Sequence, residues 1–148
     1  MKVISAIAAL IGPLLLLGGG AANADPYWEP VSKNSSFRCS YVVPHSFYDV
    51  TFQTCVVVNG NSTQAVAIVA NHSPTTLSLE APNVALYVNG PISYDRNCLT
   101  SVLTGGYTRA CFGPTQTRPC SATVRAWSQV VVQGYVMSAW SPDRQMCT

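Results

Sequence analysis

Residues 48–70 read YDVTFQTCVVVNGNSTQAVAIVA, and this stretch decides the fold class. Val50, Phe52, Thr54, Val56 and Val58 fall on one parity, the two-residue period of a strand with one buried face. Asn59-Gly60 follows, a pair that tolerates positive φ and so signals a tight hairpin. Gln64–Ala70 is apolar on both parities, as expected of a central strand covered on both sides.

The same pattern extends outward in both directions. Upstream, Phe37–Val43 leads into a turn at Pro44-His45-Ser46. Downstream, Thr75–Glu80 and Val84–Val88 alternate, and Asn89-Gly90-Pro91 turns the chain. Cys98–Leu103 and Tyr107–Phe112 flank Gly105-Gly106, which reads as a second hairpin. Ala122–Val132 and Tyr135–Trp140 flank Gln133-Gly134, a third. Gly113–Pro119 is a polar loop, and no window carries a helical apolar stripe. Short strands with frequent turns predict an all-β domain over residues 37–148. The expected architecture is an antiparallel immunoglobulin-like β-sandwich of about eight strands.

Residues 1–24 read as a cleavable signal peptide. Lys2 is the positive start, Val3–Leu17 the apolar segment, and Ala22-Asn23-Ala24 the small-x-small site. An uncleaved anchor is the rival reading, and the small residues around Ala22 favour cleavage. Removing 24 residues from 148 leaves 124, one domain's worth of chain. Residues 25–36, with Pro26 and Pro30, read as an extended or loosely attached N-terminal arm. The remaining chain holds seven basic residues and six acidic ones. That near-neutrality argues against nucleic acid as a partner, since phosphate recognition needs clustered Lys and Arg. No segment after the signal is apolar enough for stable membrane insertion.

An export signal gives the six cysteines their meaning as a disulfide framework. They are Cys39, Cys55, Cys98, Cys111, Cys120 and Cys147. No pair has CxxC spacing, and His45 and His72 are the only histidines, so neither a metal site nor another cofactor is expected. Hairpin register favours the sequential pairing Cys39–Cys55, Cys98–Cys111 and Cys120–Cys147. Six cysteines nevertheless leave many connectivities open.

Two groups of residues are candidates for binding. Arg38, Arg96, Arg109, Arg118 and Arg144 each lie within three positions of a cysteine. If the bridged strand ends gather, Arg96, Arg109, Arg118 and Arg144 would form a rim for an anion. The competing reading is a set of polar strand ends whose Asp-Arg pairs neutralise themselves. The second group is aromatic: Trp127, with Arg125 and Gln129 on its own strand face, and Trp140 near a strand end. Tyr41, Tyr87, Tyr107 and Tyr135 add phenol edges. Such a face suits a sugar ring or a protein partner, whereas packing alone would bury it.

Catalytic chemistry has thin support. Ser46 with His45 or His72 and Asp49 or Asp95 supplies the residue types of a triad without a GxSxG or HExxH context. A carboxylate pair would come from Glu29, Asp49, Glu80, Asp95 and Asp143. Asn34, Asn61 and Asn71 head N-glycosylation sequons, which matter only in a host with that machinery.

The Ala22-Asn23-Ala24-Asp25-Pro26 junction, the Val-, Thr- and Ala-rich strands and Cys111-Phe112-Gly113-Pro114-Thr115 carry a resemblance. With them the chain resembles the small exported, disulfide-bonded, β-rich proteins of actinobacteria. The resemblance implies a bacterial exported protein and unused sequons, and it transfers no functional residue. The expected function is a secreted, non-catalytic binding domain for an extracellular or cell-envelope protein or glycan. The alternatives are a small secreted hydrolase, and an inhibitor or effector presenting the Gly113–Pro119 loop.

Overall fold

The computed structural model describes residues 27–148. The expected signal peptide, with Asp25 and Pro26 of the arm, lies outside the described residues. The described chain is all β. Its strands are β1 (Trp28–Glu29), β2 (Phe37–Cys39), β3 (Val43–Pro44), β4 (Val50–Asn59), β5 (Ser62–Asn71), β6 (Leu77–Val88) and β7 (Ile92–Asn97). They continue with β8 (Ser101–Leu103), β9 (Thr108–Phe112), β10 (Gln116–Thr117), β11 (Thr123–Val132), β12 (Tyr135–Trp140) and β13 (Arg144–Gln145). Nine of these have three or more residues, and four are two-residue pairings.

The strands form two antiparallel sheets. The first has the order β1-β9-β5-β4-β2, with β10 beside β5 and β3 beside β4. The second has the order β12-β11-β6-β7, with β13 beside β11 and β8 beside β6. Their facing sides make the core. Val50, Phe52, Val56 and Val58 of β4 and Ala65, Ala67 and Val69 of β5 meet Leu77, Leu79, Val84 and Leu86 of β6 and Val124, Ala126, Val130 and Val132 of β11. The domain is an immunoglobulin-like sandwich carrying three disulfides, as the alternation predicts.

Local chemistry explains each turn. β4 and β5 close on Gly60-Asn61, one position beyond the expected Asn59-Gly60, with Gly60 at φ 59°. Gly in the first of two loop positions is the arrangement that matches strand twist. β11 and β12 close on Gln133-Gly134 as expected, both at positive φ. β5 lies between β4 and β9 and buries side chains on both faces, as its composition demands.

Three readings change. Thr75–Glu80 and Val84–Val88 belong to one strand, β6. Ala81 sits at φ 42° in a bulge opposite Gln129–Val131, and Pro82, which has no N–H to donate, follows directly. β7 was not foreseen, because in Ile92–Asn97 only Tyr94 enters the core. Gly105-Gly106 is not a hairpin: β8 pairs with β6 in the second sheet and β9 with β5 in the first. The glycines carry the chain between sheets. A Cβ on Gly105 would lie 2.4 Å from the Ser73 carbonyl oxygen.

The disulfides join Cys39 to Cys55, Cys98 to Cys111 and Cys120 to Cys147. The first couples paired residues of β2 and β4, and the third closes the chain end onto the approach to β11. The second follows from a different geometry than the one expected. Cys98 follows β7 and Cys111 lies on β9, so this bridge ties one sheet to the other. Beside it, the Ala65 N–H of β5 donates to the Tyr94 hydroxyl at 2.9 Å. The Gly113 N–H donates to the Ala65 carbonyl at 2.8 Å. Tyr94 lies so close that a Cβ on Gly113 would stand 2.4 Å from its hydroxyl.

The N-terminal arm is attached rather than loose. Trp28 and Glu29 pair with Cys111 and Ala110, and the Trp28 indole donates to the Leu99 carbonyl at 2.8 Å. Val31 and Phe37 then cover Cys55, Val66, Ile68 and Ala110 on the outer side of the first sheet.

Two outcomes are expected from this fastening. Replacing Cys98 and Cys111 together by Ala should cost about 3 kcal/mol and lower the melting temperature by roughly 10 °C in calorimetry. Burial pushes the Tyr94 phenol up to about 12, against the Ala65 N–H and the charge of Arg96. A phenol harder to ionise when folded loses its proton first in the unfolded chain. Stability is therefore intact below about pH 10 and declines towards pH 12. Urea titrations at pH 9 and 11 should differ by about 1 kcal/mol more in the native protein than in Tyr94→Phe.

Candidate aromatic binding face

β11 alternates strictly. Val124, Ala126, Ser128, Val130 and Val132 point into the core, so Arg125, Trp127, Gln129 and Val131 must lie on the outer side. Strand register then assembles their neighbours. Trp127 stands opposite Trp140 on β12 and Ala85 on β6, and Ala85 stands opposite Asp95 on β7. One pair along, Gln129 stands opposite Ser138 and Asn83, and Asn83 opposite Asn97. In the other direction Arg125 stands opposite Tyr87.

The result is an aromatic quarter beside a polar quarter. The Trp140 ring lies 4.8 Å from Tyr87 and 6.4 Å from Trp127, centroid to centroid, with interplanar angles of 56° and 51°. Trp140 is 44% exposed, while Trp127 and Tyr87 are half-buried. Ala85, small and fully buried, separates Trp127 from Asp95 along the register. The Asn83 amide donates to Asp95 and, at 3.4 Å, to Asn97. This orders a row of amide and carboxylate groups along the aromatic edge. Trp140 also turns the corner of the sheet. It lines a hollow of ≈ 610 Å³ with Ser40, Tyr41, Val43 and Pro142.

Trp127 and Trp140 are therefore brought together, with Arg125, Gln129 and Tyr87. The four rim arginines are not. Arg118 joins Ser93 of β7 to Gln116 of β10. Arg144 donates to Ser35, Ser36 and Thr148, clamping the arm to the chain end. Burial, then the charge of Arg38, lowers its proton affinity. Arg96 donates to the Asp95 carbonyl oxygen, and Arg109 to that of Thr108 while stacking on Tyr107 at 4.8 Å. Asn83, Ala85 and Asn97 carry no signal as site residues in the sequence, and Asp95 is a candidate there only for catalysis, not for this face. Only the register of β6 with β7 brings them here, and β7 carries no alternating pattern.

The remaining candidates have local duties. His45 is buried, its Nδ1 accepting the backbone N–H groups of Phe47 and Tyr48 at 3.0 and 3.2 Å. Its Nε2 then donates to the Val132 carbonyl at 3.1 Å, so both ring nitrogens are spent on backbone. His72 pairs with the Thr51 hydroxyl at 3.0 Å. Glu29 lies in the first sheet, and Glu80 and Asp95 in the second. Asp95 stands level with Ala85, five residues along β6 from Glu80, a separation of about 16 Å. No group of three His, Cys, Asp or Glu able to hold a metal occurs among the described residues. The Gly113–Pro119 loop lies along the first sheet, because Gln116 and Thr117 pair with Thr63 and Ser62. Asn71 is buried. Its amide donates to Thr75 and Leu103 and its oxygen accepts from Ser73, so this sequon is a structural turn. Asn34 and Asn61 are exposed.

No protein-family model matches the chain, and a search of the curated proteins finds no match. Among solved structures it is similar to the GAE domain of GGA2p from Saccharomyces cerevisiae. The identity is 10%, over 71% of this chain and 95% of that one, with a TM-score of 0.28.

His45 and Ser46 should separate a structural from a chemical role. His45→Ala is expected to cost about 1–3 kcal/mol, since it strips partners from three buried or half-buried backbone groups. Ser46→Ala, at an exposed position, should stay within about 0.5 kcal/mol in the same denaturant titration.

Proposed function

We propose that the chain is an exported protein whose β-sandwich binds a glycan outside the cell and carries out no chemistry on it. The observation that carries this reading is the outer side of the second sheet, where Trp127 and Trp140 adjoin Asn83, Asp95, Asn97 and Gln129. A pyranose ring presents C–H groups on its face and hydroxyls at its edge. Indole faces match the first, and amides and carboxylates match the second, each able to accept or donate to a hydroxyl pair. A protein partner would instead favour a wider apolar centre with a polar rim all round.

Three considerations support export. The first 24 residues have the charge, apolar run and small-residue site of a signal peptide. All six cysteines are paired, the state favoured in an oxidising compartment. The resemblance to exported actinobacterial proteins points the same way and makes a cell-envelope or neighbouring-cell polysaccharide the natural target.

The test is a panel of insoluble and soluble polysaccharides, neutral and acidic, probed with the native protein and with Trp127→Ala and Trp140→Ala. Each substitution should weaken binding at least tenfold, about 1.4 kcal/mol, while circular dichroism stays native. Binding that is indifferent to both substitutions would place the ligand elsewhere.

A further inference from the structure

The aromatic quarter ends on a cation whose hydrogen-bonding capacity is unspent. The Arg125 guanidinium lies 4.4 Å from the Trp140 ring centroid and 5.7 Å from that of Tyr87. Cation–π attraction holds it over the Trp140 ring, yet among the described residues none of its five N–H groups reaches an acceptor. Arg118 and Arg144 differ, because their forks are occupied by Ser93 and Gln116, and by Ser35, Ser36 and Thr148. Beside Arg125 opens a hollow of ≈ 320 Å³ lined by Tyr87, Asn89, Thr123 and Asp143.

A guanidinium whose donors are free offers a planar fork that a carboxylate accepts through two oxygens. Desolvation by the rings strengthens such a pair relative to one in open water. The chain has no general positive field that would collect anions without discrimination. Asp143 lines the same hollow, so its carboxylate offsets part of the attraction of Arg125 and opposes a multiply charged group.

We infer that the ligand is an acidic polysaccharide, whose sugar rings pack against Trp127 and the part of Trp140 that Arg125 leaves exposed, and whose uronate carboxylate pairs with Arg125. This rests on the glycan reading above and adds the charge of the sugar. Arg125 is then the specificity residue, and Asp143 moderates its strength.

The experiment uses the full exported chain and a set of uronates: oligogalacturonate, alginate and hyaluronan. Each is compared with its methyl ester, which keeps the rings and removes the charge. Neutral mannan, cellulose and starch, and polyglutamate, complete the set. At least one acid form should bind tenfold or more tighter than its ester. That ratio should fall close to one in Arg125→Gln and be partly kept in Arg125→Lys. Asp143→Asn should tighten the acid form several-fold. Raising salt should weaken the acid form and spare the ester.

Equal affinity for acid and ester, preference for the neutral polysaccharides, or a ratio unchanged in Arg125→Gln overturns this inference and leaves the glycan reading standing. Binding to none of the sugars, binding to polyglutamate alone, or sugar binding that survives Trp140→Ala overturns both. Arg125→Lys preserves the charge and serves as the folding control.

Discussion

Two sheets that face each other share no ladder of backbone hydrogen bonds, so their mutual offset has to come from side chains. The apolar core supplies attraction but little direction. Direction comes from a small knot at Tyr94. Its ring crosses from the second sheet to the Ala65 N–H of the first, Gly113 folds against it, and the Cys98–Cys111 bridge fastens the same region. Ala65 serves both partners, through its N–H and its carbonyl. A Cβ at Gly113 would force the Tyr94 ring to move. It also reaches the outer surface. Tyr94 and Asp95 are consecutive on one strand and point opposite ways, so fixing the first fixes the second. The polar row of the proposed binding face is thus aligned from inside the core.

The two outer surfaces have different fates. On the first sheet, Val31 and Phe37 lie over Val66, Ile68 and Ala110, which explains why β5 can be apolar on both parities. On the second sheet no segment among the described residues forms such a layer over Trp127 and Trp140. Instead, polar residues surround the aromatic ones, and the cation of Arg125 lies over the Trp140 ring. Arg125 and Gln129, on either side of Trp127 along one strand, keep that face wettable while leaving the indoles reachable.

Much of this was legible in the chain. Parity along residues 48–70 defined one strand with a buried face and another covered twice. Parity along β11 placed Arg125, Trp127 and Gln129 together, because alternation is local and survives any tertiary arrangement. What was not legible depended on partners distant in sequence. Gly105-Gly106 has the composition of a hairpin, yet its flanking strands join different sheets, a choice made by packing and not by the turn. The Cys98–Cys111 pairing follows equally from a hairpin and from a crossover, so its agreement says nothing about which occurs. β7 sends one side chain into the core and therefore shows no period. Without it, Asp95 and Asn97 had no address on the face. The arginines near the cysteines share a position in sequence but form no single cluster in space, since bridges at three separate places carry them.

The three bridges are arranged one after another, with closing distances of 16, 13 and 27 residues and no interleaving. A chain that emerges N-terminus first therefore presents Cys39 and Cys55 as a complete pair before Cys98 appears. Cys98 and Cys111 are likewise complete before Cys120 appears. At every moment the newest unpaired thiol has one unpaired predecessor at most, and that predecessor is its native partner. First-come oxidation is then also correct oxidation. The order in which the polypeptide threads out does the sorting that nested bridges would leave to repeated exchange.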